Sequence, residues 1–267
     1  MNIVVCVKHV PDATAAIGFE ADQTVDRVGV EGLLSELDEY AVEQALQIKE
    51  KREGEEITVI ALTVGPEKAA DAIRKALQMG ADQGVHVTDD AIAGSDAVGT
   101  SLVLAEAVKK VAATVGSVDL VMTGMSSTDG AMGVVGPMMS ERLGWPQVTY
   151  ADVVETQGDQ VRIKRDSDVS TEVIGATMPL VLSVTDRGGE ARYPSFKGIM
   201  AAKKKPVETW SLADLGVDAG SVGLAAAWTA VQDTSARPPR TAGEVVKDDG
   251  GSGAAALIDF LAAKKFI

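Results

Sequence analysis

Short, unbroken apolar runs alternate with helical patterns through the first half of the chain, and this alternation limits the fold more than any other feature. Ile3-Val4-Val5-Cys6-Val7, Ile57-Thr58-Val59-Ile60-Ala61-Leu62 and Val118-Asp119-Leu120-Val121-Met122-Thr123 lack the polar alternation of a half-exposed strand. Each predicts a strand covered on both faces. Such strands separated by helices imply βαβ units and a parallel sheet. The first helix is predicted to begin at Ser35, with Ser35 to Asp38 as a capping box, and to end at Gly54. Its apolar face is Ala41, Val42, Ala45, Leu46 and Ile48. A second helix follows Gly65-Pro66 and stops at Gly80, and Val85-His86-Val87 predicts a short strand. A third helix starts at Ser95 or Asp96 and runs to about Val115.

After Trp145-Pro146 the pattern changes. Val148 to Glu155, Val161 to Arg165 and Thr171 to Ala176 predict successive antiparallel strands, an insertion over about residues 147–178. Leu180 to Val184 then rejoins the main sheet. From about Pro206 the composition drifts to Ala, Gly, Asp and Pro, including Arg237-Pro238-Pro239-Arg240 and Asp248 to Gly253. A segment of that kind cannot build a core alone. The expected organisation is therefore α/β: a mostly parallel sheet with helices on both faces over residues 1–205, a small antiparallel β region, and an extended C-terminal arm over 206–267. The arm is expected to end in an amphipathic helix from Ala254 to Phe266.

Composition removes several functions. The 267 residues carry a formal net charge of -14, a poor balance for non-specific binding of nucleic acid or an anionic membrane. One cysteine excludes an internal disulfide framework, and two histidines, His9 and His86, argue against a His-based metal centre. No apolar run approaches the roughly 20 residues of a spanning helix. The opening Met1 to Val5 leads into a strand-like run without a basic or apolar leader pattern, so the protein is expected to be cytoplasmic, with no membrane insertion.

Ligands of open α/β sheets bind outside the C-terminal strand ends. Cys6 to Asp12, Ala61 to Pro66 and Thr123 to Gly136 converge there. The last contains Gly124-Met125-Ser126-Ser127-Thr128-Asp129-Gly130-Ala131-Met132-Gly133 and runs into a helix beginning near Val134. Small residues let a backbone approach a ligand, and free amides at a helix start favour phosphate. An ordinary βα loop has the same composition, so both functions stay open on these residues. No Gly-Lys-Ser/Thr follows, which excludes a Walker loop, and Val7 to Pro11 lacks the glycines of a dinucleotide fingerprint. Cys6 is expected to be a packing residue, His9 a surface residue and His86 outward-facing. Asp166 and Asp168 are expected to be solvated on a turn. Nothing here assembles a nucleophile with a base. One further segment, Glu190 to Lys205, places Tyr193, Phe196, Ile199 and Met200 beside Lys203, Lys204 and Lys205 in an otherwise acidic chain. It suits a partner anchor with a basic rim, or a helix whose Phe196 and Met200 pack inward.

Val7-Lys8 with Val10 and Asp12, Asp38 to Glu43, Met79-Gly80-Ala81-Asp82, Val118 to Val121, Trp145-Pro146-Gln147, and Arg192-Tyr193 followed by Ile199 to Lys205 together resemble the beta subunit of electron transfer flavoprotein. The resemblance covers nearly the whole chain. It implies an adenine-nucleotide hydrolase-like fold and a heterodimer whose alpha subunit carries FAD. This subunit would hold AMP and dock acyl-CoA dehydrogenases or similar donors, and the flavin would pass electrons towards a membrane quinone reductase. An electron carrier subunit of this kind has no catalytic residues of its own. The resemblance places the nucleotide at Cys6, at Ser35, Glu36, Leu37 and Asp38, at Ala61, and at Gly124, Met125, Ser126, Ser127, Thr128, Asp129, Gly130, Ala131, Met132, Gly133, Val134 and Val135. The recognition loop falls at about 184–206, with Phe196 where the family commonly has leucine. Several positions depart from the family. Ser35-Glu36 replaces an Asn-Pro pair, and Gly133-Val134-Val135-Gly136 replaces Asn-Gln-Thr-Gly. Asp168-Val169-Ser170 stands in for an Asp/Glu-Gly-Gly turn. Ala13 stands where many members have an aromatic near FAD, and Ala201 where a lysine is common. The alternatives are a subunit holding a second FAD, which splits electron pairs, and an enzyme hydrolysing adenine nucleotides.

Overall fold

The computed structural model describes every residue except 15, 16, 28, 236, 237 and 239–241. Most of the Arg237 to Arg240 stretch therefore lies outside the described residues. The first strand, β1 (Asn2–Cys6), leads into a two-stranded antiparallel ribbon of β2 (His9–Pro11) and β3 (Gly32–Leu34). Helix α1 (Glu36–Lys51) and strand β4 (Thr58–Val64) follow, then α2 (Ala70–Met79), β5 (Gln83–Val87), α3 (Ala97–Val115), β6 (Leu120–Gly124) and α4 (Val135–Leu143). Next come β7 (Gln147–Ala151), β8 (Val153–Gln157), β9 (Gln160–Asp166), β10 (Thr171–Thr177) and β11 (Leu180–Val184). Helix α5 (Phe196–Ala202), strand β12 (Val207–Trp210) and helix α6 (Leu212–Leu215) close the first compact unit, which spans Met1–Gln232. The second unit, Asp233–Ile267, contains α7 (Ser252–Ala263), on which Leu257, Ile258 and Phe260 are exposed.

Seven strands form one sheet in the order β12-β5-β4-β1-β6-β11-β7, every neighbouring pair parallel. The predicted double burial is explicit in β1. Ile3 and Val5 pack with α1 and α2 on one face, while Val4 packs with α3 and α4 on the other. Asp96 caps α3 by accepting the Gly99 amide at 3.0 Å, whereas the Ser95 hydroxyl donates to the Ile92 carbonyl. This resolves the choice the sequence left open.

Two expectations about organisation change. The strand predicted over Val148 to Glu155 is broken at Asp152, whose carboxylate accepts the Thr185 hydroxyl and the Asp166 amide. Before the break β7 stays on the main sheet beside β11; after it β8 joins the antiparallel sheet β10-β9-β8. The second change concerns the arm. The chain does not leave the core at 206, because β12 pairs with β5 and buries Trp210, with Leu212 and Val222 beyond it. A four-residue edge strand within a polar stretch gives little periodic signal. Among the described residues, no helix is long and apolar enough to cross a membrane.

Trp210 is 7% exposed, and Lys110 lies over its ring at 4.9 Å. Trp210→Ala is expected to cost about 3–5 kcal/mol in urea denaturation, because it leaves a cavity under the sheet edge. A loss within about 0.5 kcal/mol, as for a surface site, would show that residues after 206 stand apart from the core.

Candidate functional site

The cleft begins where β1, β4 and β6 end side by side. Leaving β1, the Val7 amide donates to the Leu62 carbonyl at 2.8 Å, and Thr63 Oγ1 donates to the Val7 carbonyl at 2.6 Å. The Ser35 amide donates to the Lys8 carbonyl at 2.9 Å, which sets the start of α1 against the β1 loop. Asp38 then joins the two strand ends. Its carboxylate accepts the Lys8 amide at 2.9 Å and the Gly124 amide at 3.2 Å. The capping box expected at Ser35 is therefore not formed. Asp38 satisfies buried strand-end donors instead, and Ser35 makes no side-chain cap hydrogen bond. Ser35 is fully buried, and its Oγ has no partner among the described residues. Burial pushes the Asp38 carboxyl up to about 7, against the pull of the Lys8 and Gly124 amides and the Lys8 charge. Gly124 is needed for a steric reason: a Cβ there would lie 2.6 Å from the Leu37 carbonyl oxygen and 2.8 Å from Asp38 Oδ1.

The loop after β6 is organised by a second carboxylate. Asp129, its side chain 1% exposed, takes Lys8 Nζ on one oxygen at 2.8 Å and the Arg27 guanidinium on the other. Lys8 Nζ also reaches Ser127 Oγ at 3.3 Å, and Arg27 Nη1 donates to the His9 carbonyl. Burial raises the Asp129 carboxyl, but Lys8, Arg27 and Ser127 outweigh it and hold the group well below the usual carboxylate range. Further on, Ala131 and Gly133 have φ of 50° and 66°. At 133 glycine also makes room, since a Cβ would stand 2.6 Å from the Tyr150 hydroxyl. Helix α4 is preceded by Val134 at its N-cap, whose side chain caps nothing, so its first amides lack intrahelical acceptors. Amides, Ser and Thr hydroxyls and two cations on one carboxylate make a cleft suited to a phosphate. The buried, unpartnered Ser35 hydroxyl adds a donor. This donor set, with the loop after β6 on one side and Ser35 to Asp38 against Gly124 on the other, has the chemistry a nucleotide phosphate requires.

The predicted residues divide by position. Gly124 to Val135 and Ser35 to Asp38 come together, as the Gly124–Leu37 approach shows. Ala61 does not reach the strand end; it is fully buried inside β4, which continues to Val64. Cys6 packs at the end of β1, and burial, helped by Asp38, pushes its thiol up to about 12, so it stays protonated. His9 is not a surface residue. It lies buried in β2 with its ring against Gly32, and burial lowers its pKa. His86 is also buried, with Nε2 3.0 Å from the Gly65 carbonyl oxygen. Asp168 is exposed as expected, and Asp166 accepts Thr171 and Lys164 on the same turn. Lys8, Arg27 and Tyr150 line this candidate site and were not among the residues predicted for it. For Lys8 the signal was its place directly after a buried strand; Arg27 and Tyr150 carry no local pattern.

A second surface lies at residues 185–205. Tyr193 and Phe196 are 91% and 80% exposed, and Ile199 and Met200 are exposed beside them. Ser195 caps α5 by accepting the Gly198 amide at 3.0 Å. The inward-packing alternative for Phe196 and Met200 is thus excluded, since α5 turns Gly198 towards α2. A Cβ at 198 would sit 2.5 Å from the Gln78 carbonyl oxygen. Lys203 and Lys204 are exposed, but Lys205 is turned in. Its Nζ donates to the Leu77 and Ala81 carbonyls at 2.9 and 2.6 Å, at the C-terminus of α2, so it is a tether and not part of the rim.

Comparison with known proteins agrees with this architecture. The family model described as the electron transfer flavoprotein domain matches residues 22–215. The electron transfer flavoprotein subunit beta of Mycobacterium tuberculosis (strain H37Rv) is 44% identical, covering 100% of this chain and 99% of that protein. The subunit beta of Megasphaera elsdenii is 34% identical over 92% of each chain. Protein FixA of Azorhizobium caulinodans is 36% identical over 82% of this chain and 78% of its own. The match over most of its length places this α/β chain in the class of electron transfer flavoprotein domains. Within that class the chain belongs to the electron transfer flavoprotein beta-subunit family.

The site carries a pH signature. An unfolded Asp titrates near 3.9, and Asp38 in the fold at about 7. Between those values the folded form holds the extra proton, so the Asp38 contribution is present at low pH and is lost as pH rises towards about 7. Asp129 has the opposite sign: its contribution is lost only on acidification below the ordinary carboxylate range. In urea denaturation at pH 5, 6 and 7, Asp38→Asn is expected to flatten the fall in stability seen in the parent protein. An unchanged slope would remove Asp38 as its source.

Proposed function

We propose that this chain is the beta subunit of a heterodimeric electron transfer flavoprotein, holding AMP in the strand-end cleft and docking acyl-CoA dehydrogenases or similar flavin donors through α5. The observation that carries the docking is Phe196, an aromatic 80% exposed at the start of a helix whose other contacts are satisfied. A large apolar side chain presented this way, with Lys203 and Lys204 beside it, has the anatomy of an interface anchor with a charged rim. The alpha subunit carries FAD, which takes electrons from the donor and passes them towards a membrane quinone reductase. The residues of this chain bind, orient and exclude water. Lys8, Arg27 and the amides of α4 face the nucleotide phosphate, and Ser35 Oγ gains a partner. Cys6, His9 and His86 are packed or hydrogen-bonded within the fold, which supports an electron carrier subunit without catalytic residues of its own. Because AMP binds only the folded form, it stabilises by mass action. The arm, from 233 onward and ending in the apolar α7, is assigned to the alpha subunit, and the protein to the cytoplasm.

Mass spectrometry of small molecules released from the denatured heterodimer tests the cofactor assignment. One FAD and one AMP per heterodimer are expected; two FAD and no AMP would put flavin in this cleft instead. For docking, Phe196→Ala is expected to lower electron transfer from an acyl-CoA dehydrogenase about tenfold or more, with FAD content unchanged. An unaltered rate would refute α5 as the docking surface.

A further inference from the structure

Helix α5 packs on α2 through Gly198, while the segment leading into it is held to α1 chiefly by the hydrogen bonds of one residue, Arg192. Arg192 directly precedes Tyr193 and lies four residues before Phe196. Its backbone amide and Nε both donate to Glu43 Oε2, at 3.1 and 2.6 Å, and Nη2 donates to Glu43 Oε1 at 3.0 Å. The other side of the guanidinium grips Glu50, with Nη1 2.6 Å from Oε1 and Nη2 3.0 Å from Oε2. Glu43 is 8% exposed at its side chain, and Gln47 supports it from the same helix. Both carboxylates stand on α1, two turns apart, and Gln44 of α1 holds the Gly188 carbonyl at 3.0 Å. On the far side, Gly198 and Lys205 fix α5 to α2.

We infer that Arg192 is a positioning residue for donor docking: by clamping Glu43 and Glu50 of α1, it fixes the pose in which Tyr193 and Phe196 meet the donor flavoprotein. The inference rests on α5 being the docking surface. The physical reason is preorganisation. An aromatic anchor on a mobile loop loses conformational entropy when it is captured, and a loop already held in the bound pose does not. Only a guanidinium suits the task, because its planar fork satisfies two carboxylates at once where an ammonium is a single point charge. The mutual effect on the charges agrees: the hydrogen bonds that Arg192 donates to Glu50 and Glu43 raise its pKa, and the Glu43 carboxyl is lowered, the pull of Arg192 and Gln47 outweighing its burial.

The test uses the assembled heterodimer with an acyl-CoA dehydrogenase as donor, comparing Arg192→Gln, Phe196→Ala and the double variant. Arg192→Gln is expected to raise KM for the flavoprotein about tenfold with kcat retained, and to speed amide hydrogen exchange over residues 193–202. FAD content should not change. The double variant is expected to be no worse than Phe196→Ala alone, since without the anchor there is nothing left to position. Arg192→Lys should stay impaired. Glu50→Gln removes one arm of the clamp at an exposed site and should raise KM by about threefold; it serves if Arg192→Gln does not assemble. If Phe196→Ala slows transfer while neither Arg192→Gln nor Glu50→Gln does, the positioning role is overturned and the docking surface stands. A double variant whose losses simply add also overturns it. If Phe196→Ala itself is silent, the docking surface fails, and the positioning role with it.

Discussion

A single buried carboxylate holds the functional end of this sheet together. Asp38 receives the amides of Lys8 and Gly124, the first from the segment leaving β1 and the second from the last residue of β6. Without it two interior donors at adjacent strand ends would lack an acceptor, and each such orphan costs about 1–3 kcal/mol. The bond also explains why position 124 has no side chain. The start of α1 must come close enough for Asp38 to reach both amides, and at that distance a Cβ would meet the Leu37 carbonyl. The loop from 125 to 134 then has one direction in which to leave the sheet, over the β1 segment, where Asp129 meets Lys8 and Arg27.

Helix α1 has a different partner at each part of its length. Its first turn closes the cleft through Ser35 and Asp38, while Glu43 and Glu50 receive Arg192 from the segment before α5. The short motifs by which the chain resembles its family are, in the fold, contacts of one another. The Asp38 to Glu43 stretch meets the Val7-Lys8 stretch at one end and Arg192 at the other. Met79 to Asp82 is touched by Lys205 at Ala81 and by Lys49 at Asp82, which also receives the Val59 amide. Residues distant in sequence are thus tied together by a common set of charged hydrogen bonds around α1 and α2.

What was legible in the sequence follows from how local each cause is. Strands buried on both faces announce themselves as unbroken apolar runs, and β1, β4, β6 and β11 lie where those runs do. Two helix stops were as plain, with Gly80 and Gly116 at positive φ directly after α2 and α3, whereas α1 ends at Lys51, ahead of the Gly54 expected to stop it, and the amide of its C-cap Arg52 donates to the Ile48 carbonyl. The break at Asp152 was not legible, because it depends on Thr185 and the Asp166 amide, contributed by other strands. The same holds for Ser35 and Asp38. By spacing they are a capping box; what overrides that pattern is a pair of strand-end donors that only the folded sheet brings near. His9 and His86 look exposed next to polar or alternating neighbours, yet both are buried, His9 with Gly32 of β3 against its ring and His86 with its Nε2 at the Gly65 carbonyl. Phe196 and Met200 were ambiguous at helical spacing, and the residue that settled the matter was the glycine between them.

The distribution of fixed and free groups bears on what such a subunit needs. Long-range electron passage between two flavins requires that the carriers be set at a reproducible separation, and proton donors near the path bring no advantage. The ionisable groups of the cleft are accordingly committed to structure: Asp129 holds two cations and Asp38 two amides, and Cys6 is kept as a neutral thiol by burial. The groups left unspent lie elsewhere, as apolar side chains on α5. Rigidity behind that helix and freedom at its surface are complementary demands. For the docking proposed at α5, side chains that still choose their rotamers cost little so long as the backbone that carries them does not have to be ordered at the same moment. The clamp of Arg192 on α1 and the tether of Lys205 on α2 fix both roots of the segment, and Gly198 seats α5 on α2 between them, leaving its apolar side chains at the surface.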